Sequence, residues 1–472
     1  MNPHNPNLPA VLAGPPTRPR VFRDPVHGDI TFPRGPFQRL LESLIDTELF
    51  QRLRGIRQTA VMNLVFHGAE HSRFAHSMGA AHVAGMMVDA AAANSGLPVS
   101  PADREEIVLA ALLHDVGHGP FSHSMEEIIG PGFKHERMSV RILEAPESEI
   151  QRLLAAYRPE LPRRLSAFID HASSRSWRHD IVSSQLDADR LDYLARDGLM
   201  AGMASHAFDL RRLVRSLVVI DDHLVVDARA QDNVEAFLLA LDQMYGTAYY
   251  HKTVRAASLL LEAITRRALR LARESSARAA ALFPPRPGRR AAAEGPDPFH
   301  ALLELGDRVS LDDYVRLDEA YVMSLMAEWR DADDPALAEL VTCFKTRRFP
   351  KMVRLPLENR SMSRADWQAA AGVAHRIFAR RFPDRDSQDY VHFDEPGRLS
   401  YKLYSAAGTA KPIRITTASG GSRPIESDPR SIANNLSLRL YFPRLFVPEA
   451  IRQEVEQSLG GPAPPSSASA TS

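Results

Sequence analysis

A ten-residue segment, HDVGHGPFSH at His114–His123, constrains this chain more than any other part of its sequence. It places three imidazoles and one carboxylate close together, and both groups are metal donors at neutral pH. The apolar run before it, Ile107–Leu113, has helical spacing, so His114 and Asp115 would lie side by side at a helix end. A lone histidine is usually an ordinary core or surface residue, but this density of ionisable groups favours a functional site.

The ends of that helix can be predicted. Ser100 followed by Pro101 is typical of an N-cap and first helical position. After the His-Asp pair, Gly117, Gly119 and Pro120 are helix breakers, so we expect the helix to stop near Gly117. The chain can then return His123 to the same cleft as His114 and His118.

Composition excludes several classes of protein without naming a partner. The 472 residues carry 58 Lys and Arg against 58 Asp and Glu, so nucleic acid is a possible partner that the charge does not indicate. The single cysteine, Cys343, excludes a Cys-rich zinc module and fits a reducing compartment. Without an uninterrupted apolar run of about 18 residues or a signal peptide, we expect a cytoplasmic protein with no membrane contact.

The helical pattern dominates the first half of the chain and mixes with strands toward the end. Leu311–Trp329 predicts a helix, and its part Leu317–Trp329 could serve a dimer, although such stripes are more often core. Apolar and polar residues alternate in Lys351–Leu355, Pro412–Ile415 and Leu436–Tyr441, which predicts strands. The predicted fold class is therefore mainly α, a helical core with a smaller α+β C-terminal region.

The predicted domain organisation follows composition shifts along the chain, above all the Pro-, Gly- and Ala-rich stretch between 284 and 296. We expect a disordered N-terminal segment at 1–20, a helical domain at 21–275, a linker or mobile insertion at 276–299, an α+β region at 300–456 and a disordered tail at 457–472.

Three further segments offer donors that could join the His-Asp pair: Glu70–Ser77, Lys134–Glu136 and Gln185–Tyr193. Taken alone, the last could be a solvated acidic face. Nitrogen and oxygen donors without a thiolate suit Fe, Mn, Zn or Mg. Arg73 suits a phosphate clamp because a guanidinium binds two oxygens and stays charged, whereas outside this context it would be a surface ion pair.

The order His76, His114-Asp115, Asp189 resembles the H…HD…D pattern of the HD phosphohydrolase superfamily. A longer ordered set resembles the deoxynucleoside triphosphate triphosphohydrolases of the sterile-alpha-motif/HD-domain type and their bacterial relatives, from about Val21 to Arg255. That set consists of Asp24–Gly28, Phe50–Gln58, His71–Ser77, His114–His123, Asp189–Tyr193 and Ala248–Lys252. The chain lacks room for the sterile alpha motif, so the likeness is to the catalytic part.

The resemblance implies an HD-domain helical core, in which 21–275 is the HD phosphohydrolase domain. Its divalent metal would be held by His76, His114, Asp115 and Asp189, with Mg accompanying the substrate triphosphate. In that family water attacks the α-phosphorus and the 5′-oxygen leaves as a nucleoside, so a general acid should stand opposite the nucleophile. His123 is our candidate for that acid by position. The matching residues near the phosphates and the proton relay are His118, His135 and Glu136.

The resemblance also implies how a dNTP substrate would be bound. Arg73, Arg190 and Lys252 would contact the triphosphate. The deoxyribose would be lined by Gln58, Tyr193, Asp197 and Tyr249, and a packed sugar pocket would reject a 2′-hydroxyl.

A nucleotide activator, GTP or a dNTP, at subunit interfaces of a homodimer or homotetramer is a further implication. The matching residues are Asp46, Gln51, Arg54, Arg347 and Lys351, and a carboxylate facing the N1 and N2 donors of guanine explains an aspartate there. The sequence departs from the family at Arg23, where an Asn is usual, and at Thr59, where a bulky aliphatic residue is common. A polar helix surface is an equally good explanation for Asp46.

Two alternatives remain open at this stage. An HD phosphohydrolase could act on another nucleotide or on a nucleic-acid end, because HD cores support several such reactions. A nucleotide-sensing or nucleic-acid-binding module could retain the cleft without turnover. His123, His135 and Glu136 argue against that second alternative, because a pure binder does not need an acid relay.

Overall fold

The computed structural model describes residues 18–170, 176–203, 208–287, 294–354, 363–398, 401, 412–437 and 440–460. Most of the predicted N-terminal segment and tail, and the 288–293 part of the predicted linker, lie outside these residues. The linker begins with a helix over Ser276–Leu282. The predicted domain boundaries stay predictions.

Helices dominate the part of the chain that the structure describes, which confirms the predicted mainly α fold class. In chain order they are α1 (Pro36–Ile45), α2 (Glu48–Gln51), α3 (Arg73–Ser95), α4 (Pro101–Leu113), α5 (His123–Ile129), α6 (His135–Glu144), α7 (Glu149–Tyr157), α8 (Leu161–Ile169), α9 (Trp177–Val182), α10 (Ala188–Met200), α11 (Leu210–Arg215), α12 (Gln231–Met244), α13 (Lys252–Glu274), α14 (Ser276–Leu282), α15 (Pro298–Leu305), α16 (Leu311–Tyr314), α17 (Glu319–Trp329), α18 (Pro335–Lys345), α19 (Arg364–Arg381), α20 (Ala433–Leu436) and α21 (Glu449–Ser458).

The strands are short and form small sheets. They are β1 (Phe22–Asp24), β2 (Gly28–Ile30), β3 (Leu217–Ile220), β4 (His223–Val226), β5 (Arg286–Pro287), β6 (Glu294–Gly295), β7 (Lys351–Met352), β8 (His392–Asp394), β9 (Gly397–Arg398), β10 (Arg414–Thr416), β11 (Ser422–Pro424), β12 (Leu440–Tyr441) and β13 (Arg444–Val447). The larger sheets have the orders β11-β10-β4-β3 and β7-β13-β8. β1-β2, β5-β6 and β9-β12 are antiparallel pairs.

Two compact units divide the chain, and each is built from three separate stretches. The first consists of Met1–Ala248, Pro285–Met323 and Leu399–Leu438, and the second of Tyr249–Pro284, Ser324–Arg398 and Arg439–Ser472. All four predicted metal ligands lie in the first unit.

The core of the first unit is built around α3, which packs against α4, α10 and β3. Small residues let these neighbours approach α3 closely, and a methyl group added at Gly79 would lie only 1.9 Å from a side-chain oxygen of Asp192 in α10. Ser72 caps the start of α3 by accepting a hydrogen bond from the Ala75 amide, and Gly96, in the left-handed conformation at φ 62°, ends it.

The helix before the His-Asp pair begins as predicted. Ser100 accepts a hydrogen bond from the Asp103 amide, and Pro101 is the first residue of α4. The last residue of α4 is Leu113, about one turn before the predicted end near Gly117, and His114 is its C-cap, so the pair stands at the helix end where the chain turns.

In the second unit, α13 packs against α14, α18 and β7, while α19 packs against α21 and β13.

Two local predictions were wrong in part. The predicted helix over Leu311–Trp329 is broken into α16 and α17, because the Asp318 carboxylate caps a new helix by accepting from the Tyr321 amide. In the first unit, Leu436, the first residue of the predicted Leu436–Tyr441 strand, is the last residue of helix α20, and among the described residues of that prediction only Leu440–Tyr441, in the second unit, is a strand.

Within the described part of the chain, no helix combines the length and apolarity that crossing a membrane requires.

Candidate metal centre

Three helical elements bring the four predicted ligands together. His76 lies near the start of α3, His114 and Asp115 follow α4, and Asp189 lies in the first turn of α10. The Nε2 atom of His76 is 3.1 Å from Asp189 Oδ1 and 3.7 Å from Asp115 Oδ2. The Nε2 atom of His114 is 3.4 Å from Asp115 Oδ1 and 3.6 Å from Asp189 Oδ1. His76, His114 and Asp115 therefore form a group that could hold one metal ion, and Asp189 Oδ1 lies beside both imidazole Nε2 atoms.

Both imidazoles are oriented through their δ nitrogens. His76 Nδ1 lies 2.8 Å from Asp192 Oδ2, and His114 Nδ1 lies 2.7 Å from the Ala111 carbonyl oxygen. Because each acceptor takes the Nδ1 proton, each ring turns Nε2 toward the carboxylates. Both Nε2 atoms are buried without a hydrogen-bond partner, which is unusual for polar atoms inside a protein. A divalent cation fits this donor set, since it would satisfy both nitrogens at once.

The charges at this point also suit a cation. Burial opposes ionisation of Asp115, but His114 and Arg73 hold the pKa of that carboxyl well below its usual range. Burial likewise opposes the charged form of His76, yet Asp189 and Asp192 raise the pKa of that imidazole to about 10. A metal cation bound at Nε2 would take the place of the proton that these carboxylates favour.

Arg73, the predicted phosphate clamp, is buried beside the ligands. Its guanidinium contacts the Asp115 carboxylate and donates from Nε to Ser122 Oγ at 2.8 Å. A longer bond of 3.4 Å reaches the Gln58 carbonyl oxygen. In this arrangement Arg73 braces a metal ligand, and its contact with a phosphate stays a prediction.

A second group of ionisable side chains adjoins the ligands through Asp115. His118 Nε2 lies 3.3 Å from Asp115 Oδ1, and the His118 ring stacks on the His135 ring at 3.8 Å. Burial, with Arg73 and His135 nearby, holds the pKa of His118 well below its usual range, so this ring is neutral. The His123 ring lies 5.3 Å from His118, and its side chain is 70% exposed. A molecule arriving from solvent can reach His123.

Glu126 links this group and was not singled out from the sequence. Its Oε1 accepts from His135 Nδ1 at 2.5 Å and lies 3.6 Å from His123 Nδ1, while its Oε2 accepts from Lys134 Nζ at 2.8 Å. Burial opposes its ionisation, but these partners hold the pKa of Glu126 far below its usual value. The signal available was its position three residues after His123, on the same helix face. Glu136 lies at the edge, with Oε2 3.4 Å from His135 Nδ1.

The turn that leads into His123 is held in an uncommon conformation. Phe121 and Ser122 have φ angles of 57° and 52°, in the left-handed region that residues with a Cβ rarely adopt. Ser122 Oγ is fixed by Arg73, and the buried carboxylate of Glu319 accepts from the Phe121 amide and from Arg57. These contacts set where α5 begins and therefore where His123 lies.

The turn after the His-Asp pair is braced from two other sides. Arg52 donates to the Val116 carbonyl oxygen at 2.9 Å and lies under the Tyr314 ring, whose hydroxyl donates to the Gly117 carbonyl oxygen. On the other side, Ser139 Oγ of α6 accepts from the Gly117 amide at 2.9 Å and donates to the His114 carbonyl oxygen.

The residues predicted for the sugar lie along α10 and the segment before α3. Asp197 Oδ1 lies 2.7 Å from His71 Nε2, and the Gln58 amide donates to the His71 carbonyl oxygen. Tyr193 is half-buried on the face that carries Asp189. Arg190 is oriented toward Asp187 at 3.9 Å, and although burial opposes its charge, Tyr193 and Asp187 raise its pKa.

Two predicted substrate residues belong to the second unit. Tyr249 closes the turn of π-helix that follows α12, and Lys252 is the first residue of α13.

The predicted activator residues divide between the units. In the first, Asp46 accepts from Arg20 NH1 at 2.8 Å on both oxygens, and Gln51 accepts from Arg54 Nε at 2.8 Å. Arg20 is not among the residues predicted from the sequence. In the second unit, Arg347 follows α18 with a φ angle of 56°, and Lys351 begins β7.

Comparisons with known proteins agree with this geometry. Residues 73–197 match the HD domain family, and residues 208–282 match the HD associated region. Over 458 residues the chain is 31% identical to the uncharacterized protein YwfO of Bacillus subtilis, an alignment that covers 93% of this chain and 97% of that protein. A solved phosphohydrolase from Bacteroides thetaiotaomicron superposes with a TM-score of 0.73 at 24% identity, covering 91% of this chain and all of the other, and this likeness describes the fold.

Similarity to proteins with a named activity is more local. The chain is 33% identical over 227 residues to the deoxynucleoside triphosphate triphosphohydrolase SAMHD1 of Mus musculus, covering 42% of this chain and 34% of that protein. It is 29% identical over 254 residues to the SAMHD1 homolog of Dictyostelium discoideum, covering 51% and 48%. The chain therefore spans less than half the length of these triphosphohydrolases.

Proposed function

This chain belongs to the HD-domain family of metal-dependent phosphohydrolases, and we propose that it hydrolyses deoxynucleoside triphosphates to a deoxynucleoside and inorganic triphosphate. The observation that carries the proposal is the adjacency of two groups. The predicted ligands His76, His114 and Asp115 form a group that could hold a metal ion, Asp189 lies beside both imidazoles, and a chain of histidines with a buried glutamate adjoins them through Asp115.

His76, His114, Asp115 and Asp189 would hold the metal. When bound, a divalent ion in such a site lowers the pKa of a coordinated water toward 7 and so supplies a nucleophile at neutral pH. The side chains orient the reaction: Asp192 and the Ala111 carbonyl fix the two imidazoles, and Arg73 holds the Asp115 carboxylate in place. Neutral His118 adds a hydrogen-bonding group beside Asp115 without adding charge.

His123 is the residue that we assign to protonate the leaving 5′-oxygen. Its exposure allows contact with a bound nucleotide, and Glu126 Oε1 lies close enough to Nδ1 to orient the ring and to stabilise its protonated form. Glu126 also holds His135, which stacks on His118, so contacts connect the acid to the residues near the predicted metal ligands. Glu136 stands at the edge of this group.

The nucleoside would be bound by α10 and the segment before α3. We assign Arg190 to the triphosphate and Tyr193, Asp197 and Gln58 to the deoxyribose. His71 supports this assignment because it ties Asp197 to the strand-like segment that carries Gln58. For Tyr249 and Lys252, which belong to the second unit, the substrate roles implied by the resemblance remain part of the proposal.

Regulation by a nucleotide is part of the proposal. Asp46, Gln51 and Arg54 would read a guanine base in a homodimer or homotetramer, and Arg347 and Lys351 would contact its phosphates. The Arg20–Asp46 pair supports this role: both oxygens of the carboxylate already accept from one guanidinium nitrogen, Arg20 NH1, and they would be the acceptors for the N1 and N2 donors of guanine.

The test is product analysis with purified full-length chain. Each dNTP, singly and in mixtures, is incubated with Mg²⁺ or Mn²⁺, and the products are resolved by anion-exchange chromatography. We expect deoxynucleoside and triphosphate, and a loss of turnover in His114→Ala and Asp115→Ala. Turnover confined to mixtures would support the activator. Release of monophosphate and pyrophosphate, or turnover of other nucleotides in place of dNTPs, would contradict the proposal.

A further inference from the structure

The buried carboxylate of Asp192, which is not one of the predicted metal ligands, holds His76 at Nδ1. α10 carries Asp189 and, three residues later, Asp192, so both side chains reach the same imidazole. Asp189 Oδ1 lies 3.1 Å from His76 Nε2, and Asp192 Oδ2 lies 2.8 Å from His76 Nδ1. The side chains of His76 and Asp192 are both fully buried. One helix therefore fixes the ring at Nδ1 through Asp192 and places Asp189 beside Nε2.

The other oxygen of Asp192 is held by a residue from the far end of the sequence. His27 Nε2 lies 2.6 Å from Asp192 Oδ1, across 165 positions of sequence, and its side chain is only 5% exposed. Arg196, one turn further along α10, donates to both oxygens of Asp192 at 2.8 and 2.9 Å. Each oxygen of the Asp192 carboxylate lies at hydrogen-bond distance from two nitrogens, so the position of the carboxylate is closely fixed.

The turn that presents His27 is locked to the same network. Asp24 Oδ1 accepts from the Val26 amide at 2.8 Å and the His27 amide at 3.0 Å, and its Oδ2 accepts from Arg196 NH1 at 2.8 Å. Asp24 thus shapes the turn between β1 and β2 and anchors it to α10. The β1–β2 hairpin, Phe22–Ile30, is the N-terminal end of a continuous chain of buried contacts that ends at His76.

Space for this network is provided by α3 itself. A methyl group on Gly79 would lie 1.9 Å from Asp192 Oδ1 and 2.4 Å from Arg196 NH2. Gly79 follows His76 by three residues and lies on the same helix face. The absence of a side chain there lets the carboxylate reach beneath the imidazole.

We propose that Asp192 and His27 are positioning residues for His76, and that the N-terminal hairpin thereby sets how tightly the chain holds its metal. Asp192 keeps the proton on Nδ1 and the ring in one orientation, so that Nε2 presents its lone pair to the cation. His27 keeps Asp192 from turning away. Residues that orient a metal-binding histidine in this manner typically change metal affinity by roughly 10- to 100-fold when removed. This inference rests on the metal site of the proposed function but is independent of the substrate.

The experiment measures metal affinity without substrate. Full-length wild-type chain and the variants His27→Phe, His27→Gln, Asp192→Asn and His27→Phe/Asp192→Asn are titrated with Co²⁺ and Mn²⁺ against a chelator of known affinity. The ligand-field absorption of bound Co²⁺ reports the geometry of the site. His300→Phe and His300→Gln, in α15, are the matched controls for loss of a histidine elsewhere in the first unit.

We expect a roughly 10- to 100-fold weaker Co²⁺ affinity and an altered absorption band in His27→Phe and Asp192→Asn. His27→Gln should retain more of the affinity than His27→Phe, because its amide can still donate to Asp192. In the double variant the His27 substitution should add little, since its partner has already been changed. The His300 variants should bind Co²⁺ as the wild type does.

Several outcomes would overturn the inference. If His27→Phe and Asp192→Asn bind Co²⁺ as tightly as the wild type, the network does not set metal affinity. If His27→Gln and His27→Phe lose affinity equally, or the two substitutions add in full, His27 does not act through Asp192. Thermal unfolding of each chain identifies a variant that fails to fold, and the His27→Gln against His27→Phe comparison then decides. A wild-type chain that binds no metal overturns the proposed function as well, whereas a metal-binding chain without dNTP turnover overturns only that function.

Discussion

Single residues of the centre differ most in how firmly they are held. His76 has a fully buried side chain whose Nδ1 is held by Asp192, whereas the side chain of His123 is 70% exposed. The difference suits their proposed tasks, because a metal ligand benefits from a fixed geometry and a proton donor must meet a substrate that comes and goes. Glu126 combines both features. Its own side chain is buried, and its carboxylate contacts His135 and the more exposed Lys134.

Glu126→Gln tests this link at the residue scale. The substitution keeps the shape of the side chain but removes the charge that His123, His135 and Lys134 share. We expect kcat for dNTP hydrolysis to fall roughly 10- to 100-fold, because the acid loses part of its orientation and stabilisation. Metal content, measured by mass spectrometry of the bound ion, should stay at the wild-type level.

The neighbouring Glu127→Gln, on the exposed face of the same helix, is the matched control and should leave kcat unchanged. A Glu126→Gln chain with wild-type kcat would show that the buried carboxylate serves folding alone.

Close backbone contacts position the helices around the centre as much as hydrophobic burial does. α6 lies against the turn that follows the His-Asp pair, and a methyl group on Gly117 would lie 2.3 Å from both the His135 carbonyl oxygen and the Ser139 amide nitrogen. Backbone atoms cannot move aside as a flexible side chain can. The glycine in this motif therefore keeps α6, with His135 and Ser139, in contact with the ligands.

Gly117→Ala is predicted to separate α6 from the His-Asp turn. We expect a loss of about 1–3 kcal/mol in the free energy of unfolding, measured by denaturant titration, together with weaker metal binding. Gly372→Ala, inside α19 where the nearest atom to the added methyl group is 3.6 Å away, should instead stabilise the chain by about 0.5–1 kcal/mol. Equal effects of the two substitutions would contradict this explanation.

A strand of the second unit gives a pH-dependent prediction. Burial, with Arg266 and His375 nearby, lowers the pKa of His392 in β8 to about 4. An unfolded chain binds that proton near pH 6.5, so below this pH protons favour the unfolded state. The free energy of unfolding should therefore fall between pH 6.5 and 4, by up to about 1.4 kcal/mol per pH unit from this residue.

Denaturant titrations at pH 7 and pH 5 measure the effect. The wild type should lose more stability than His392→Gln on acidification, while His67→Gln, at an exposed position, should behave as the wild type. The same loss in the wild type and His392→Gln would show that His392 is not the group that takes up the proton.

A structural feature could be predicted from the sequence when the residues that cause it lie close together in the chain. The Ser100 cap, the helix before His114 and the mainly α class follow from short-range patterns. The break between α16 and α17 depends on one carboxylate cap, and the Leu311–Trp329 periodicity does not reveal it. Glu126 and Glu127 lie three and four residues after His123, so helix spacing places both near it, and only the fold decides which of them turns toward His135.

At the scale of the whole molecule, distant segments converge on the centre of the first unit. Asp192 joins His27 from near the N-terminus, and Glu319 supports the turn before His123 from almost 200 residues further along. No local pattern predicts such pairs, since they depend on how the chain returns on itself. The same return divides the chain into two units of three stretches each.

The position of water-derived oxygen in the products tests the central claim most directly. Purified chain hydrolyses a dNTP in ¹⁸O-labelled water with Mg²⁺ or Mn²⁺, and mass spectrometry locates the label. Attack at the α-phosphorus with departure of the 5′-oxygen places one ¹⁸O in triphosphate and none in the deoxynucleoside, and no labelled product should form in His114→Ala. Label in a monophosphate, in pyrophosphate or in the deoxynucleoside would contradict the reaction that we assign to this centre.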